Sequence, residues 1–176
     1  MKVAGRWRYV YRAVDHCGQV IDVMISARRD AAPAARFFAR ARIHGDPEEI
    51  TTDKAPALAH AVEATFPGAR HDTEQYANNR IESDHARLKA RLRPMRGLKR
   101  DRNAQEIVAG HAFVQNLRRG HYELGTYARP HLRLAAAFDE LTRVLCDGPT
   151  AQASSAPRHQ STQQTRCGTV AQCGVN

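Results

Sequence analysis

The sequence predicts an α/β domain in which helices pack on a sheet, and three observations point to it. In the segment from Trp7 to Val14, aromatic residues at positions 7, 9 and 11 alternate with arginine or valine, and this period of two residues is typical of a strand. A nearly continuous apolar run from Val20 to Ile25 follows the turn at Asp15 and is typical of the buried second strand of a hairpin. Farther along the chain, segments in which apolar residues recur with helical spacing lie on both sides of a short segment rich in β-branched residues.

The segment after the hairpin predicts a helix that packs on the sheet. Asp30 is the expected N-cap, Pro33 is tolerated in the first turn, and apolar residues recur with helical spacing from Ala34 to Ala41. The aromatic side chains of the first strand, Trp7 among them, could stack on bases. In a strand of this pattern, however, they are expected in the core.

Asp53 follows a short predicted strand, Glu49 to Thr52, and precedes a helix that begins at Pro56. Its position supports two interpretations. One is an ordinary N-cap, because acids favour that place. The other is a ligand-binding carboxylate, since open α/β sheets bind ligands at the carboxyl ends of their strands. The pattern leaves both open.

The stretch from Tyr76 to Gly97 predicts an amphipathic helix that Pro94 limits, with an apolar stripe from Ile81 to Leu92. Asn79 followed by Glu82 resembles a capping box. Basic side chains surround this carboxylate or follow on later turns, namely Arg80, His85, Arg87, Lys89, Arg91, Arg93 and Arg96. Such a surface could hold a metal ion beside a phosphate backbone. The plain alternative is a capping carboxylate and a solvated basic face.

Helical spacing predicts two further helices, from Ala104 to Leu117 and from Leu132 to Leu145, the second with Phe138 facing inward. Beyond Gly148 the sequence changes to Ser, Thr, Gln, Pro and Ala, with almost no large apolar residue. Such a stretch cannot bury enough surface to offset its ordering entropy, so we expect a disordered tail.

The composition indicates a polyanionic partner. Lys and Arg total 27 against 18 Asp and Glu, a net charge of +9, and the arginine excess favours nucleic acid over membrane. No apolar run reaches the length of a membrane span and no signal-peptide core follows Met1, so we expect a cytoplasmic protein. The cysteines form no Cys-x-x-Cys pair and the histidines no His-Glu-x-x-His motif, so neither a disulfide framework nor a zinc site is expected.

Three motifs in order along the chain resemble the DDE transposases of bacterial insertion sequences, most closely the insertion-sequence-six family. They are TTDKAP from Thr51 to Pro56, YANNRIESDHARLKARLRPMRG from Tyr76 to Gly97, and AGHAFVQNLRRGHYEL from Ala109 to Leu124. The segment GRWRYVYRAVD from Gly5 to Asp15 fits the same family. The resemblance covers Lys2 to Leu124, fits loosely up to Leu145 and does not extend into the tail.

The resemblance implies an RNase H-like, integrase catalytic core-like fold: a five-stranded mixed sheet flanked by helices. It also implies three carboxylates that hold two Mg²⁺ ions, because two metals about 4 Å apart stabilise the attacking and leaving oxygens of a phosphodiester displacement. By this resemblance Asp53 is the second acid and Glu82 the third, both catalytic and metal-binding. The expected DNA contacts are to phosphates and come from Arg80, His85, Lys89, Arg93 and Arg96.

The chain departs from the family at its start. The family's first acid lies on the first strand, in an Asp-Glu-Thr-Tyr segment upstream of the position that Met1 occupies, and a helix-turn-helix-like region precedes it. Asp15 and Asp22 are the nearest acids, and neither matches the first acid. We therefore expect the first strand to be largely missing. The hairpin and the Ile50 strand would then face unpaired edges, and the isolated chain would be marginally stable, without a cooperative melt at an ordinary mesophile temperature.

These inferences predict three regions: a partial DDE catalytic domain over 1–125, a helical extension over 126–147 and the disordered tail over 148–176. The predicted function is metal-dependent DNA cleavage and strand transfer during transposition, inactive in this truncated form. One alternative is a non-catalytic DNA-binding remnant that interferes with a full-length transposase, and another is a gene product without a selected role. The expected partners are double-stranded DNA of transposon ends and target, and a second copy or a full-length relative.

Overall fold

The computed structural model describes residues 1–73, 79–95, 97–147 and 170–175; for residues 79–85, 147 and 170–175 it describes the backbone alone. The chain divides into two compact units, Met1–Phe113 with Gly168–Asn176, and Val114–Cys167. The predicted domain boundaries at residues 125 and 147 stay predictions. No helix in the described part of the chain is both long and apolar enough to cross a membrane.

The predicted alternation of strands and helices is present. In chain order the elements are β1 (Lys2–Val3), β2 (Arg6–Trp7), β3 (Tyr9–Val14), β4 (Val20–Ser26), α1 (Ala31–Ala41), a 3₁₀ turn (Arg42–His44), β5 (Glu49–Thr52), α2 (Pro56–Thr65), β6 (Arg70–Asp72), α3 (Asn79–Leu92), α4 (Asp101–Arg119), α5 (Arg133–Asp147) and β7 (Val170–Val175). The sequence did not predict β6, because its residues Arg-His-Asp carry no apolar or β-branched signal.

The main sheet of the first unit is mixed, with the described strands in the order β4-β3-β7-β5-β6. β3 and β4 form the predicted antiparallel hairpin, with Tyr9 opposite Ser26 and Ala13 opposite Asp22. β5 and β6 run parallel. β1 and β2 form a separate short hairpin in which Lys2 lies opposite Trp7.

The central position of the sheet belongs to β7, from the end of the chain. It runs antiparallel to β3 and parallel to β5, so that Cys173 lies opposite both Ala13 and Thr52. For these six residues the structure differs from the predicted disordered tail, and the unpaired edges predicted for the hairpin and the Ile50 strand are absent. The physical reason is that β3 and β5 together offer two rows of backbone groups, and a segment bounded by valines completes both. Residues 148–169 lie outside the described residues.

Helices cover both faces of the sheet. On one face, Tyr11 of β3 packs with the fully buried Phe37 and Phe38 of α1 and with Leu58 of α2. The Tyr11 and Phe37 rings lie 5.6 Å apart between centroids. Burying a side chain of this size contributes about 1.5–3 kcal/mol, so this aromatic cluster anchors α1 as its helical spacing predicted.

The other face is covered by α3 and the start of α4. Leu88 and Val108 are buried there against Val10 and Val23. The Gln105 side chain also closes the outer edge of β4, because its Oε1 accepts from the Ile25 N–H at 2.8 Å and its Nε2 donates to the Val23 carbonyl at 2.9 Å. A side chain thus satisfies backbone groups that an edge strand would otherwise expose.

The second unit contains the end of α4, a loop and α5. The Gly125 N–H donates to Glu140 Oε2 at 3.2 Å, which ties the loop to α5. Ala137 is fully buried, whereas Phe138 is 45% exposed, so the prediction that Phe138 faces inward is wrong. The other residues predicted to face inward are half-buried or buried, namely Leu134, Ala137 and Leu141, so the apolar stripe is narrower than predicted and leaves out Phe138 alone.

Candidate functional site

Asp53 lies directly after β5, at the carboxyl end of a strand inside the sheet. The β-branched residues before it, Ile50, Thr51 and Thr52, are all buried, which explains why this segment is a strand and why it ends where the acid begins. The Asp53 side chain is about one-third exposed. The structure therefore presents a carboxylate at the edge where α/β sheets bind ligands.

Two hydrogen bonds hold the Asp53 carboxylate. Its Oδ2 accepts from Arg29 Nη2 at 2.5 Å, and its Oδ1 accepts from the Ala55 N–H at 3.2 Å. The N-cap of α2 is Ala55, which has extended backbone angles, so Asp53 is not the capping residue itself. The N-cap interpretation is thus wrong in its position, although Asp53 still orders the turn that leads into the helix.

The end of β5 is tied to β6 by a side-chain contact. The Thr52 Oγ1 lies 2.7 Å from His71 Nε2 and donates to the Asp53 carbonyl at 2.9 Å. This pair fixes the backbone that carries the Asp53 carboxylate. Sequence reasoning missed His71 because the three-residue strand that positions it gave no signal.

Glu82 lies in the first turns of α3, which forms over Asn79–Leu92 as the spacing predicted. The side chains of Arg80, Glu82 and His85 lie outside the described residues, as does Arg96 in full. Their roles therefore stay predictions, and so does the capping box. Among the side chains that the structure describes, no group of three His, Cys, Asp or Glu residues could hold a metal ion.

Lys89 in the second half of α3 and Arg93 directly after its end are exposed, while Leu88 is buried and Leu92 partly buried. The helix is therefore amphipathic as predicted, with its basic side outward. Both cations line a groove of about 930 Å³ that also includes Trp7 and Met95. We call it the α3 groove.

Trp7 belongs to this groove rather than to the core. Its side chain is 65% exposed, whereas Tyr11 in the same predicted strand is almost fully buried. The core prediction is thus right for Tyr11 and wrong for Trp7. The reason is that the strand breaks at Arg8, which places Trp7 in the small β1–β2 hairpin instead of the main sheet. The Lys2 Nζ lies 5.1 Å from the indole centroid, within the range of a cation–π contact.

The positive charge of the groove comes mainly from the side chains of Lys2, Lys89 and Arg93. Burial and the nearby charge of Lys89 lower the pKa of the Met1 α-amino group, which donates to the Arg8 carbonyl at 2.9 Å. The Arg8 guanidinium is neutralised by Asp101 through contacts of 2.8 and 3.0 Å, and this hydrogen-bonded pair lowers the pKa of the Asp101 carboxyl. Lys2, Lys89 and Arg93 form no ion pair with any residue that the structure describes.

Comparison with known proteins shows that residues 1–121 match a family model described as a DDE domain. Two of the similar relatives come from Staphylococcus aureus: the transposase for insertion sequence-like element IS431mec of strain Mu50, and the transposase for insertion sequence element IS257 in transposon Tn4003. Each is 34% identical over 97 residues, which is 52% of this chain and 43% of the relative. The chain therefore matches less than half the length of these relatives.

A similar solved structure is a chain in the cryo-EM structure of the simian T-cell lymphotropic virus intasome in complex with the PP2A regulatory subunit B56 gamma. The TM-score is 0.52 at 17% identity, over 92% of this chain and 57% of that chain. At this identity the likeness bears on the fold alone. It confirms the predicted RNase H-like architecture.

Proposed function

The chain belongs to the DDE-domain family of bacterial insertion-sequence transposases, and from that premise we propose that it carries the core that cleaves and joins DNA strands in transposition. The observation that carries the proposal is the position of Asp53, a partly exposed carboxylate at the carboxyl end of a strand inside an RNase H-like sheet. The helix α3 belongs to the same unit, carries Glu82 and has an exposed side with basic residues.

We propose that Asp53 and Glu82 hold a divalent ion of the Mg²⁺ type. The donor chemistry of Asp53 fits, because a carboxylate oxygen is the hard ligand that Mg²⁺ prefers. An ion bound there would supply charge stabilisation to the oxygens of a phosphodiester displacement. Arg29 holds Oδ2 at 2.5 Å, so this oxygen must exchange its partner before it can ligate an ion.

The central strand supports the further proposal that the chain as it stands does not cleave DNA efficiently. β7 reads Val-Ala-Gln-Cys-Gly-Val and contains no acid. Two-metal chemistry requires clustered carboxylates, and Asp53 with Glu82 supplies two of the three that the family resemblance implies. A second candidate function is therefore duplex DNA binding without catalysis, which the exposed cations of α3 favour.

The proposed DNA interface uses the outward side of α3. Lys89 and Arg93 are exposed and four residues apart, so both can reach phosphates along one backbone. Arg80, His85 and Arg96 are the other proposed phosphate contacts. The proposed partners are duplex DNA of transposon ends and target, together with a second copy or a full-length relative that would assemble on the same DNA.

Metal binding tests the catalytic proposal. We expect Mn²⁺, followed by electron paramagnetic resonance, to bind the wild-type chain and to bind Asp53→Asn and Glu82→Gln at least about tenfold more weakly. Asp46→Asn is the matched control, since Asp46 is an exposed acid that pairs with Arg42 on the surface. Identical titrations for all four proteins would reject the metal site.

Duplex binding separates the two candidate functions. If binding is salt-sensitive and unchanged in Asp53→Asn, and no Mn²⁺ site is found, the chain is a DNA-binding protein without catalysis. If Mn²⁺ binds and supports nicking of plasmid DNA that Asp53→Asn abolishes, the catalytic function is established and the proposed inactivity is wrong.

A further inference from the structure

We propose that the α3 groove binds an unpaired nucleotide of DNA, with its base on Trp7 and its phosphates on the cations that line the groove. This inference rests on the proposed function as a DNA-processing protein. It adds a site that is separate from the Asp53 carboxylate and that reads unpaired rather than duplex DNA.

The exposed indole is the first observation. Trp7 is the only tryptophan in the sequence, and its side chain is 65% exposed although tryptophan is one of the most costly residues to leave in water. The small hairpin that carries it, Lys2 opposite Trp7, is separate from the main sheet. An accessible aromatic ring held on a defined backbone is a platform on which a base can stack. Because the Lys2 Nζ lies over one face of the indole, we expect the base on the other face.

The apolar floor is the second observation. Val10 and Leu88 are buried beneath the groove, and Met95, which is 43% exposed, lies on its lining with Trp7. The volume of about 930 Å³ has ample room for one nucleotide. An apolar floor favours the faces and edges of a base over a hydrated phosphate chain, so the base and not the backbone belongs inside.

The third observation is the positive charge around the rim of the groove, which favours a nucleotide as the ligand. Lys2, Lys89 and Arg93 line the groove, and none forms an ion pair with a described residue. The described lining contains no acidic side chain. An apolar peptide would leave these cations uncompensated, whereas a nucleotide supplies a phosphate for them and a base for the indole.

An intact duplex meets these conditions poorly. Its bases are stacked on one another and present only their edges, so an indole cannot stack on a base face unless that base leaves the helix. Single-stranded ends and extruded nucleotides expose base faces without that cost. The groove therefore distinguishes unpaired from paired DNA, while Lys89 and Arg93 contact the phosphates of both.

The experiment uses the intrinsic fluorescence of Trp7, which reports on this site alone because the chain has no other tryptophan. We expect an oligothymidylate of about ten nucleotides to quench this emission, and an abasic oligonucleotide of equal length to quench it much less. By anisotropy of labelled oligonucleotide, Trp7→Ala should bind the oligothymidylate about tenfold more weakly, the effect of losing one stacked base. Its duplex affinity should be unchanged.

Tyr127→Phe and Tyr127→Ala are the matched controls, since Tyr127 is an aromatic residue that is 74% exposed in the second unit. They should bind oligothymidylate like the wild type. Trp7→Phe should restore part of the affinity, which loss of folding would not allow. Circular dichroism melts establish that each variant is folded.

The proposal is overturned if thymidylate and abasic oligonucleotides bind equally and leave Trp7 emission unchanged while duplex binding persists. In that case the DNA-processing function stands without this site. If no DNA of any form binds to the folded chain, both the proposed function and this inference are wrong. A Trp7→Ala loss that the two Tyr127 variants share would also overturn the site.

Discussion

The Arg29 guanidinium competes for the carboxylate on which the proposed metal site depends. It binds Asp53 Oδ2 at 2.5 Å, and its side chain is 40% exposed, so the pair resembles a solvated surface salt bridge. We expect Arg29→Ala to tighten Mn²⁺ binding about two- to fivefold, because an exposed pair is worth about 0.5–1 kcal/mol and no longer has to be broken. Calorimetric Mn²⁺ titration measures this change.

Arg42→Ala is the control for that measurement, as Arg42 pairs with the exposed Asp46 in the same unit and also loses one positive charge. Equal tightening in both variants would mean that overall charge is responsible. Weaker binding in Arg29→Ala would show that Arg29 positions the Asp53 carboxylate for the metal instead of competing with it.

Asp22 carries a buried charge that lowers stability at neutral pH. Burial raises the pKa of this carboxyl, and the ion pair with Arg40 only partly opposes that effect. Its Oδ1 accepts from Arg40 Nη2 at 2.7 Å and from the Val23 N–H at 2.8 Å, while Oδ2 has no hydrogen-bond partner among the described residues. Because the folded state holds the proton more tightly, the group's contribution to stability falls as pH rises from 3.8 through the raised pKa.

We therefore expect Asp22→Asn to raise the melting temperature at pH 7 by about 1–3 °C, with the advantage shrinking as the pH is lowered toward 3.8. Circular dichroism melts across this pH range test it, with Asp46→Asn as an exposed control. A variant that melts below the wild type at pH 7 would show that the Arg40 pair outweighs the desolvation of Asp22.

Single side chains differed in how well the sequence could place them. Asp53 was predictable because its strand and the following Pro56 fix where the strand ends. Arg29 was not, since no spacing rule joins residues 24 positions apart that meet across the top of a sheet. The environment of Trp7 was predicted wrongly because the strand breaks at a single residue, Arg8, and a period-two alternation of residues does not reveal such a break.

Among the elements, those with a strong apolar period were predicted and β7 was not. The hairpin, α1 and α3 each bury a stripe of apolar residues whose spacing can be seen in the sequence, and the packing of that stripe stabilises the element. β7 forms in a polar tail because β3 and β5 leave a gap for a strand between them, a requirement of tertiary structure that no local pattern encodes. Its central place also removes the unpaired edges from which marginal stability was predicted.

Proline tests whether β7 is a central strand in solution. Gln172 lies opposite Val14 on one side and Thr51 on the other, so proline there would remove a ladder donor between two strands. We expect Gln172→Pro to lower stability by about 3 kcal/mol or more, a fall of roughly 6–12 °C in melting temperature. Gln172→Thr, which keeps the N–H and favours a strand, should stay near the wild type.

If Gln172→Pro melts with the wild type, then β7 is not part of the folded sheet and the marginal stability predicted from the sequence regains its physical basis. A cooperative melt that only the proline variant loses would instead show that the chain stabilises its own central position. The two outcomes differ in one thermal scan, which needs no knowledge of the DNA substrate.

The net charge of the whole chain bears on the salt dependence of its proposed binding to DNA. With a net charge of +9, we expect the proposed affinity for duplex DNA to fall steeply with salt, whatever the sequence of the DNA. The exposed Lys89 and Arg93 lie four residues apart, on α3 and directly after its end. We expect their simultaneous replacement by alanine to reduce the slope of log K against log salt by about two, one unit for each lost phosphate contact. Anisotropy of a labelled duplex at several salt concentrations measures the slope.

The control replaces Arg102 and Arg143 by alanine, which removes the same charge from exposed positions on α4 and α5. If the slope falls only in the Lys89 and Arg93 variant, the duplex lies along the second half of α3, the helix whose first half carries Glu82, and beside the α3 groove that both cations line. If both double variants lose slope equally, the chain binds DNA through its total charge. The phosphate contacts assigned to α3 would then be wrong, even though the fold and the family stand.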